Sequence, residues 1–339
     1  MRCVIVLARE CGPISLCPIT GGAVSYLVDD LAEQAGVSVE ILEALSSALP
    51  TGAGRLYDQR THRKKHGGIR EVYAPRRPFD TISKNLHRSF LHLFSYDPPD
   101  HVHGFIRGRS TISNASQHLA KPCVLRMDLE DFFPSISAGT IRATLLEQGY
   151  EEKAADIAVN LVTIGGKLPI GLSTSPLLSN LAFLGTDRSL AEYARSEGLS
   201  FTRYVDDLTF SGDVTDRHSV DIAQILDDAG WSVNTRKTAF MRRGGPQYVT
   251  GLYVGESDGP RIPRQIKRKM RWIRHVISKF GYYTYMQEFG GADEVMLRRR
   301  LMGWARYIAV VEPDVGYPLL RAFDELVPEP DQDIYDLLF

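Results

Sequence analysis

The adjacent carboxylates Asp206 and Asp207, in the stretch FTRYVDDLTFSG (201–212), limit how this chain can fold more than any other feature. The residues on both sides of the pair suit short strands, so the pair lies at the tip of a predicted strand–turn–strand. An Asp pair in a turn is often only turn chemistry, because Asp bonds to its own backbone and tolerates solvent. The alternative is that the pair is half of a metal site, which requires another carboxylate from elsewhere in the chain.

Asp128, in RMDLEDFF, is that second carboxylate, and it ends an apolar run that begins at Cys123. A carboxylate buried in such a strand is costly unless it is paired or bound to metal. The two acidic sites can meet if their strands are neighbours in one antiparallel sheet. Because successive strand residues face opposite sides, we expect only one of the pair to point directly at Asp128. Asp206 is the expected ligand. Asp207 is expected either to bind the metal more weakly or to support the ligands without binding the metal itself. Carboxylates that bridge two Mg²⁺ ions form the two-metal site of nucleotidyl transfer.

The charge of the chain is segregated, although its formal net charge over 339 residues is only −1. Basic residues concentrate in 55–77 and in 261–279, and the second block contains no Asp or Glu. This distribution indicates a polyanionic partner such as nucleic acid, with a solvated helix face as the alternative. No uncharged run approaches 18 residues, so we expect no contact with a membrane. The four cysteines form no recognisable disulfide or zinc pattern, so we expect a reducing, cytoplasmic location.

Hydrophobic spacing predicts both helices and strands along the chain. Two helices separated near Gly36 are predicted between residues 24 and 49. A hairpin is predicted to turn at Gly67-Gly68, with basic residues at its tip. Further helices are predicted at 79–94, after Pro176, at 221–230 and at 264–280. The last of these carries an apolar stripe and a basic face.

Several motifs in order resemble those of the reverse transcriptases, over about residues 55–255 and more weakly to the end. They are RMDLEDFFPSI, LPIGLSTSPLLSN, YVDD, NTRKT (234–238) and YVTGLYV. The resemblance implies an α+β fold of the right-hand polymerase type, with fingers, an antiparallel-sheet palm and a helical thumb. The expected divisions are an N-terminal extension (1–24), a helical segment (25–54), fingers (55–122), a palm (123–255, with part of the fingers inserted around 150–170) and an RNA-binding thumb (256–339).

Two shorter motifs resemble those of the bacterial retron enzymes. NASQH, with Asn114 and His118, matches the N-A-x-x-H signature, and Val249, Thr250 and Gly251 match the V-T-G signature. The resemblance implies an RNA-directed DNA polymerase that copies part of a cognate structured non-coding RNA. That RNA serves as template and primer, dNTPs are the substrates, and the product is a branched RNA–DNA hybrid (msDNA) that begins at a guanosine 2′-OH.

The resemblance also implies roles for single residues near the site. Asp128, Asp206 and Asp207 would hold two Mg²⁺ ions, and Lys237 would be the general acid for pyrophosphate. Lys65 (or Lys64, because the hairpin register is uncertain by a residue) and Arg70 would hold the triphosphate. Phe133 would lie under the sugar and select deoxynucleotides, with a core Phe as the alternative. Gly171 would let the backbone approach the templating pair. Ile170 departs from the family, which usually has Gln there, and this predicts altered or reduced fidelity.

RNA contacts are expected in two regions. Asn114 and His118 would position the RNA near the site, and the V-T-G signature would contact it ahead of the thumb. In the thumb, Arg264, Arg268 and Arg271 would bind phosphates, and interleaved aromatic residues would stack on unpaired bases. The candidate aromatic residues are Trp272, Tyr282, Tyr283, Tyr285 and Trp304.

Three readings of the function stay open at this point. The first is a retron polymerase with an anti-phage role, in which the nucleoprotein restrains a toxic effector encoded nearby and a host RNase H removes the template. The second is a nucleoprotein scaffold in which catalysis is incidental. The third is a non-retron defence polymerase or a diversity-generating reverse transcriptase, which also carries an aliphatic residue at the position of Ile170.

Overall fold

The structure is a computed structural model that describes residues 25–49, 56–63, 68–290 and 293–329. The predicted extension (1–24) and Lys65 lie outside these ranges. The helices are α1 (Val28–Ala35), α2 (Val39–Ala48), α3 (Phe79–Leu93), α4 (Thr111–Ala115), α5 (Phe132–Ser135), α6 (Ala138–Glu147), α7 (Glu152–Val162), α8 (Ser175–Ser196), α9 (Asp216–Asp228), α10 (Arg264–Phe280), α11 (Tyr282–Tyr285), α12 (Glu294–Val311) and α13 (Pro313–Leu326). The strands are β1 (Tyr57–Arg63), β2 (Ile69–Pro75), β3 (Cys123–Asp128), β4 (Ser200–Tyr204), β5 (Asp207–Gly212), β6 (Ala239–Arg242), β7 (Tyr248–Val249) and β8 (Leu252–Tyr253).

The largest sheet of the described residues is antiparallel and has four strands in the order β4-β5-β3-β6. The alternation of β3 determines its two faces: Cys123, Leu125 and Met127 are buried in the main core, while Arg126 and Asp128 lie on the other face and are half-buried. The expectation that the strand ending at Asp128 and the Asp-Asp hairpin are antiparallel neighbours is confirmed. We call the face that bears Asp128 the cleft face and the opposite face the core face.

Helices cover the core face of the sheet. The long helix α8 begins with Pro176 in its first turn, as predicted, and is buried along much of its length. α1 ends at Gly36, whose φ of 74° is the left-handed cap conformation that glycine favours. β1 and β2 form the predicted antiparallel hairpin.

The C-terminal helices form a second apolar core with the β7–β8 hairpin. In the predicted apolar stripe of α10, Met270, Ile273 and Ile277 are buried in this core and Ile266 is half-buried, whereas Phe280 at the end of the helix is 55% exposed. At Gly316 in α13, an added Cβ would lie 2.0 Å from the backbone nitrogen of Ala309 in α12. α12 and α13 therefore pack with backbone almost in contact, which only glycine allows. None of the described helices combines the length and the apolar character that a bilayer crossing requires.

Candidate active site

Asp128 and Asp207 are directly paired across β3 and β5. Residues opposite each other in an antiparallel pair share a face, so both side chains lie on the cleft face. Asp206 lies in the turn before β5, and its carbonyl accepts a hydrogen bond from the Leu129 N–H (2.9 Å). Asp207, rather than Asp206, is therefore the residue of the pair that lies directly opposite Asp128. Strand alternation does not apply to Asp206, because that residue is not in a strand.

The electrostatics of the site link all three carboxylates. Burial raises the pKa of Asp206, and the negative charge of Asp128 raises it further. Burial also raises the pKa of Asp207 to about 7, against the attraction of Arg126 and together with repulsion from the other two carboxylates. Asp207 Oδ1 is fully enclosed and has no hydrogen-bond partner among the described residues. Such a group is costly to bury as an anion unless a cation joins it.

Lys237 lies on Asp128, with Nζ 2.7 Å from Oδ1. The Lys237 side chain is 36% exposed and that of Asp128 is 17% exposed, so the pair is open on one side. Asn234 orients this contact, because its N–H bonds to the Asp128 carbonyl (2.7 Å) and its carbonyl accepts from the Lys237 N–H (3.0 Å). The ammonium group thus occupies a position where a positive charge stabilises this carboxylate.

The donor set suits a hard divalent cation. Such ions bind carboxylate oxygens and usually keep water or substrate phosphate as their remaining ligands. Within the described ranges, no three His, Cys, Asp or Glu side chains, Asp128, Asp206 and Asp207 included, are placed so that they could hold a metal ion by themselves. The unpartnered oxygen of Asp207 and the half-open Asp128 therefore fit a cation whose other ligands come from solvent and substrate.

Arg126 is a site residue that the sequence analysis did not single out. It lies two residues before Asp128 on β3 and therefore on the same face. Its positive charge opposes the rise in the pKa of Asp207. The two-residue spacing was the signal that could have revealed it. Arg70, on the exposed part of β2, is close enough for its charge to favour ionised Asp206.

Phe133 is half-buried at the start of α5 and makes edge contacts with two other rings. Its ring centroid lies 5.5 Å from that of Phe132 and 6.2 Å from that of Phe105. Phe105 is 52% exposed and has a φ of 62°, which is unusual for a bulky residue. One side of Phe133 thus packs on the core and the other joins an exposed aromatic ring.

The structure gives Gly171 a role within the fold. Its φ is 118°, and an added Cβ would lie 2.3 Å from the Tyr73 carbonyl oxygen in β2. The preceding Ile170 carbonyl accepts a hydrogen bond from the Tyr73 N–H (2.8 Å). The backbone at Gly171 therefore lies close to β2, and the expected approach to the templating pair stays a prediction.

Asn114 and His118, which are expected to position the RNA, are 1% and 0% exposed, so any such role acts through the residues that surround them. The two ring nitrogens of His118 each lie 2.7 Å from a hydroxyl, that of Thr202 in β4 and that of Ser211 in β5. Burial lowers the pKa of His118 to about 3, so the ring is neutral and bridges the two strands as one donor and one acceptor.

The two retron-type signatures pack against each other. Val249 is fully buried, in the same apolar core as Ala115, so it cannot contact RNA directly. The Thr250 hydroxyl donates to the Thr111 carbonyl at the start of α4 (2.9 Å). Gly251, with a φ of 80°, is the exposed member of V-T-G. The N-A-x-x-H segment therefore joins the central sheet to the β7–β8 hairpin.

The basic face of α10 is exposed, as predicted. Arg264, Arg268 and Arg271 all point to solvent and form no ion pair with a described residue. Lys267 differs, because it pairs with Glu312 (2.8 Å) in a half-buried contact. Of the five aromatic candidates, Trp272, Tyr283 and Trp304 are exposed. Tyr282 and Tyr285 are each 4% exposed and belong to the core, so they are not stacking surfaces.

Comparison with known proteins identifies the family. The family profile described as "Reverse transcriptase (RNA-dependent DNA polymerase)" matches residues 63–273. The Retron Mx65 reverse transcriptase of Myxococcus xanthus is 32% identical over 314 residues, covering 86% of this chain and 70% of the relative. The Retron Ec86 reverse transcriptase of Escherichia coli is 30% identical over 211 residues, covering 60% of this chain and 65% of the relative.

A solved structure of telomerase from Candida albicans, in complex with a fragment of telomeric RNA, is similar at 12% identity. The match covers 85% of this chain and 67% of the telomerase chain, with a TM-score of 0.43. From the family match and the sequence relatives, the chain belongs to the reverse transcriptase family and is an RNA-directed DNA polymerase of the retron type, with the α+β right-hand fold.

Proposed function

We propose that this reverse transcriptase copies part of a cognate structured RNA into DNA and produces msDNA, a branched RNA–DNA hybrid primed from a guanosine 2′-OH. The observation that carries the proposal is the pairing of Asp128 with Asp207 on one sheet face, with Asp206 in the adjoining turn. The similarity to the Retron Mx65 and Ec86 enzymes supports the retron product over other uses of this chemistry.

Asp128, Asp206 and Asp207 would hold two Mg²⁺ ions. When bound, such ions lower the pKa of the attacking hydroxyl and neutralise charge that develops on the phosphate. Burial, and after it the negative charge of the neighbouring carboxylates, raises the pKa values of Asp206 and Asp207, and this supports the assignment because both anions gain from a cation. Arg126 limits that repulsion and helps to keep Asp207 ionised near neutral pH.

Other residues would position the nucleotide and transfer the proton. Arg70, exposed on β2, would grip the triphosphate by paired hydrogen bonds, and Lys65 (or Lys64) would add a point charge. Lys237 would leave Asp128 when a cation binds there and donate its proton to the departing pyrophosphate. Phe133 would press against the sugar, where a 2′-OH would clash with the ring. Ile170 would alter fidelity, because an aliphatic side chain cannot make the hydrogen bond of the usual Gln.

The thumb would hold the RNA, with the exposed arginines of α10 on phosphates and Trp272, 45% exposed, against a base. The buried signature residues would act at a distance from RNA, by fixing the β7–β8 hairpin against the sheet. We further propose an anti-phage role in which the nucleoprotein restrains an effector encoded nearby, with a host RNase H that trims the template.

The test is to express the full chain with the RNA encoded beside it and to analyse the nucleic acid that copurifies. We expect a DNA species that remains joined to RNA until a 2′,5′-debranching enzyme releases it. Asp206→Asn should abolish the DNA while the RNA still copurifies. Asp213→Asn is the matched control, because Asp213 is exposed near the far end of the same hairpin.

DNA without a branch would refute the retron product and favour another class of reverse transcriptase. Phage protection that persists in Asp206→Asn would refute the catalytic role in defence and favour a nucleoprotein scaffold. Full DNA synthesis by Asp206→Asn would refute the metal site itself.

A further inference from the structure

Val205, the residue directly before Asp206, has a backbone conformation that a β-branched residue rarely adopts. Its φ is 64°, in the left-handed region where the Cβ crowds the backbone. Strain of this kind persists only where the surrounding structure fixes it, and it concentrates at functional sites. The contacts around Val205 therefore show what fixes the turn that carries Asp206.

Arg203 provides the most extensive of these contacts. Its side chain is 0% exposed and forms a bidentate pair with Asp187 of α8, also 0% exposed, through Nε to Oδ1 (2.8 Å) and Nη2 to Oδ2 (2.6 Å). Its remaining nitrogen, Nη1, donates to the Val205 carbonyl (3.1 Å) and to Asn180 Oδ1 (3.1 Å). The guanidinium lies 4.8 Å from the centre of the Phe183 ring. Because all three nitrogens of the planar Arg203 guanidinium are hydrogen-bonded, the group can take only one orientation.

Asn180 closes a ring of contacts around the turn. Its amide nitrogen donates to the Gly104 carbonyl (3.1 Å), while its oxygen accepts from Arg203. Gly104 in turn packs on Val205, where an added Cβ would lie 2.5 Å from the Val205 nitrogen. The turn is thus held by a hydrogen bond at its carbonyl and by backbone contact at its nitrogen.

The backbone of Arg203 is fixed from the outer edge of the sheet as well. Its N–H donates to the His101 carbonyl (2.7 Å), and its carbonyl accepts from the His103 N–H (2.8 Å). The residue therefore cannot shift along β4 without breaking bonds on three sides. A buried ion pair costs desolvation free energy to form. The packing of the hairpin alone therefore does not explain why this pair is present.

We propose that Arg203 is a positioning residue for catalysis, which holds Val205 in its left-handed conformation and so directs the Asp206 carboxylate toward Asp128. Asp187 and Asn180 keep the guanidinium in place. The proposal rests on the metal-binding role proposed above for Asp206, and it concerns the geometry of that ligand rather than its identity. No contact between Arg203 and substrate is required.

The test compares Arg203→Lys with the full-length wild-type chain. Lysine keeps the charge but cannot reproduce the fork, so the turn should relax. We expect kcat to fall by about tenfold to a hundredfold, since a misplacement of about 1 Å can have an effect of that size. The Mg²⁺ concentration for half-maximal activity should rise, and Mn²⁺ binding measured by electron paramagnetic resonance without nucleic acid should weaken. The KM for dNTP and the affinity for RNA should change little.

A second substitution separates positioning from general structural support. Glycine adopts a positive φ without strain, whereas alanine does not. Val205→Gly in the Arg203→Lys background should therefore restore metal binding and kcat more than Val205→Ala in the same background. If Arg203→Lys does not yield folded protein, Asn180→Ala removes one acceptor of the guanidinium without a change in charge and takes its place in every measurement.

Two results would overturn the proposal: metal dependence unchanged in the folded variant, or equal recovery with glycine and alanine. Asp206→Asn, measured in parallel, keeps this outcome separate from a failure of the proposed function. If Asp206→Asn leaves Mn²⁺ binding and DNA synthesis intact, the metal site is wrong. If Asp206→Asn abolishes both while Arg203→Lys behaves as wild type, only the positioning role is wrong.

Discussion

Replacing Asp207 with Asn should stabilise the metal-free protein at neutral and alkaline pH, even though it should abolish DNA synthesis. Burial raises the pKa of Asp207 from 3.8 to about 7, and its Oδ1 is enclosed without a partner. Above pH 7 the folded chain must therefore hold a buried charge that the unfolded chain holds in water. Asn has nearly the same shape and carries no charge.

The sign of the effect follows from proton binding. Between about pH 4 and pH 7 the folded state keeps a proton on Asp207 that the unfolded state has lost, so the free energy of unfolding falls as the pH rises. The penalty is complete above pH 7 and disappears toward pH 4. A rise from 3.8 to about 7 corresponds to about 4 kcal/mol at about 1.4 kcal/mol per pKa unit. The residue as a whole is only half-buried, so we expect about 2–4 kcal/mol.

Thermal unfolding in EDTA across pH 4 to 8.5 measures this difference. With an unfolding entropy of about 2 cal/mol/K per residue over 339 residues, the gain in melting temperature at pH 8 should be about 3–6 °C. Mg²⁺ at pH 8 should stabilise the wild-type chain more than the variant. Asp213→Asn, at an exposed position, should show no such dependence on pH. A gain of equal size at pH 4 and pH 8 would refute the argument, since it could not come from ionisation of Asp207.

Four further substitutions test other parts of the structure. Phe133→Val should raise incorporation of ribonucleotides by at least about tenfold in single-nucleotide extension, because the ring no longer opposes a 2′-OH; unchanged discrimination would make Phe133 a core residue only. His118→Ala should lower the free energy of unfolding in urea by about 2–4 kcal/mol, because two buried hydroxyls lose their partner; a loss below about 0.5 kcal/mol would contradict the bridging role. Gly171→Ala should cost about 2 kcal/mol or more through its positive φ and its contact with β2, whereas Gly185→Ala in α8, where an added Cβ meets nothing within 4 Å, should not destabilise. Ile170→Gln should change the error rate on a defined template, and an unchanged rate would remove the fidelity hypothesis.

The elements that the sequence predicted well are those whose local pattern agrees with their environment. The stripe of α10 repeats at helical spacing, and its members Met270, Ile273 and Ile277 are buried, although Phe280 at the end of the helix is exposed. The strand ending at Asp128 buries Cys123, Leu125 and Met127 on one side, and on the other side only its last two residues, Arg126 and Asp128, are polar and half-buried. These patterns depend only on near neighbours in the chain, so they are readable without the fold.

The errors arose where a residue departs from its local pattern. Asp206 lies in a turn that Val205 enters with positive φ, so strand alternation does not determine where its side chain lies, and Asp207 is the residue paired with Asp128. His118 is a polar residue in a short helical turn, and nothing nearby in the sequence reveals the two hydroxyls that surround it. Tyr282 follows a basic helix and is one of the predicted stacking residues, but its side chain is buried. Its hydroxyl donates to the carbonyl of Glu294 at the start of α12.

The Arg203 network shows the same limit in a stronger form. Arginine within a predicted strand usually marks a solvent-exposed edge. Its charge is paired with Asp187, which precedes it by 16 residues on a separate helix, and the turn that it supports packs on Gly104, which comes from a loop far earlier in the chain. No spacing rule connects three such positions, so only the folded structure reveals them.

The β4–β5 hairpin is therefore held on both of its faces. On the cleft face His118 joins the two strands, at the end of the hairpin remote from Asp207. On the core face Arg203 holds the turn and is itself held by α8. Burial is the main cause of the raised pKa values of Asp206 and Asp207, and repulsion between carboxylates that must share cations adds to it before the cations arrive. A flexible hairpin would relieve this repulsion by moving its tip away from Asp128. Because both faces are fixed, the repulsion remains in the folded protein and is available as binding energy for a divalent cation.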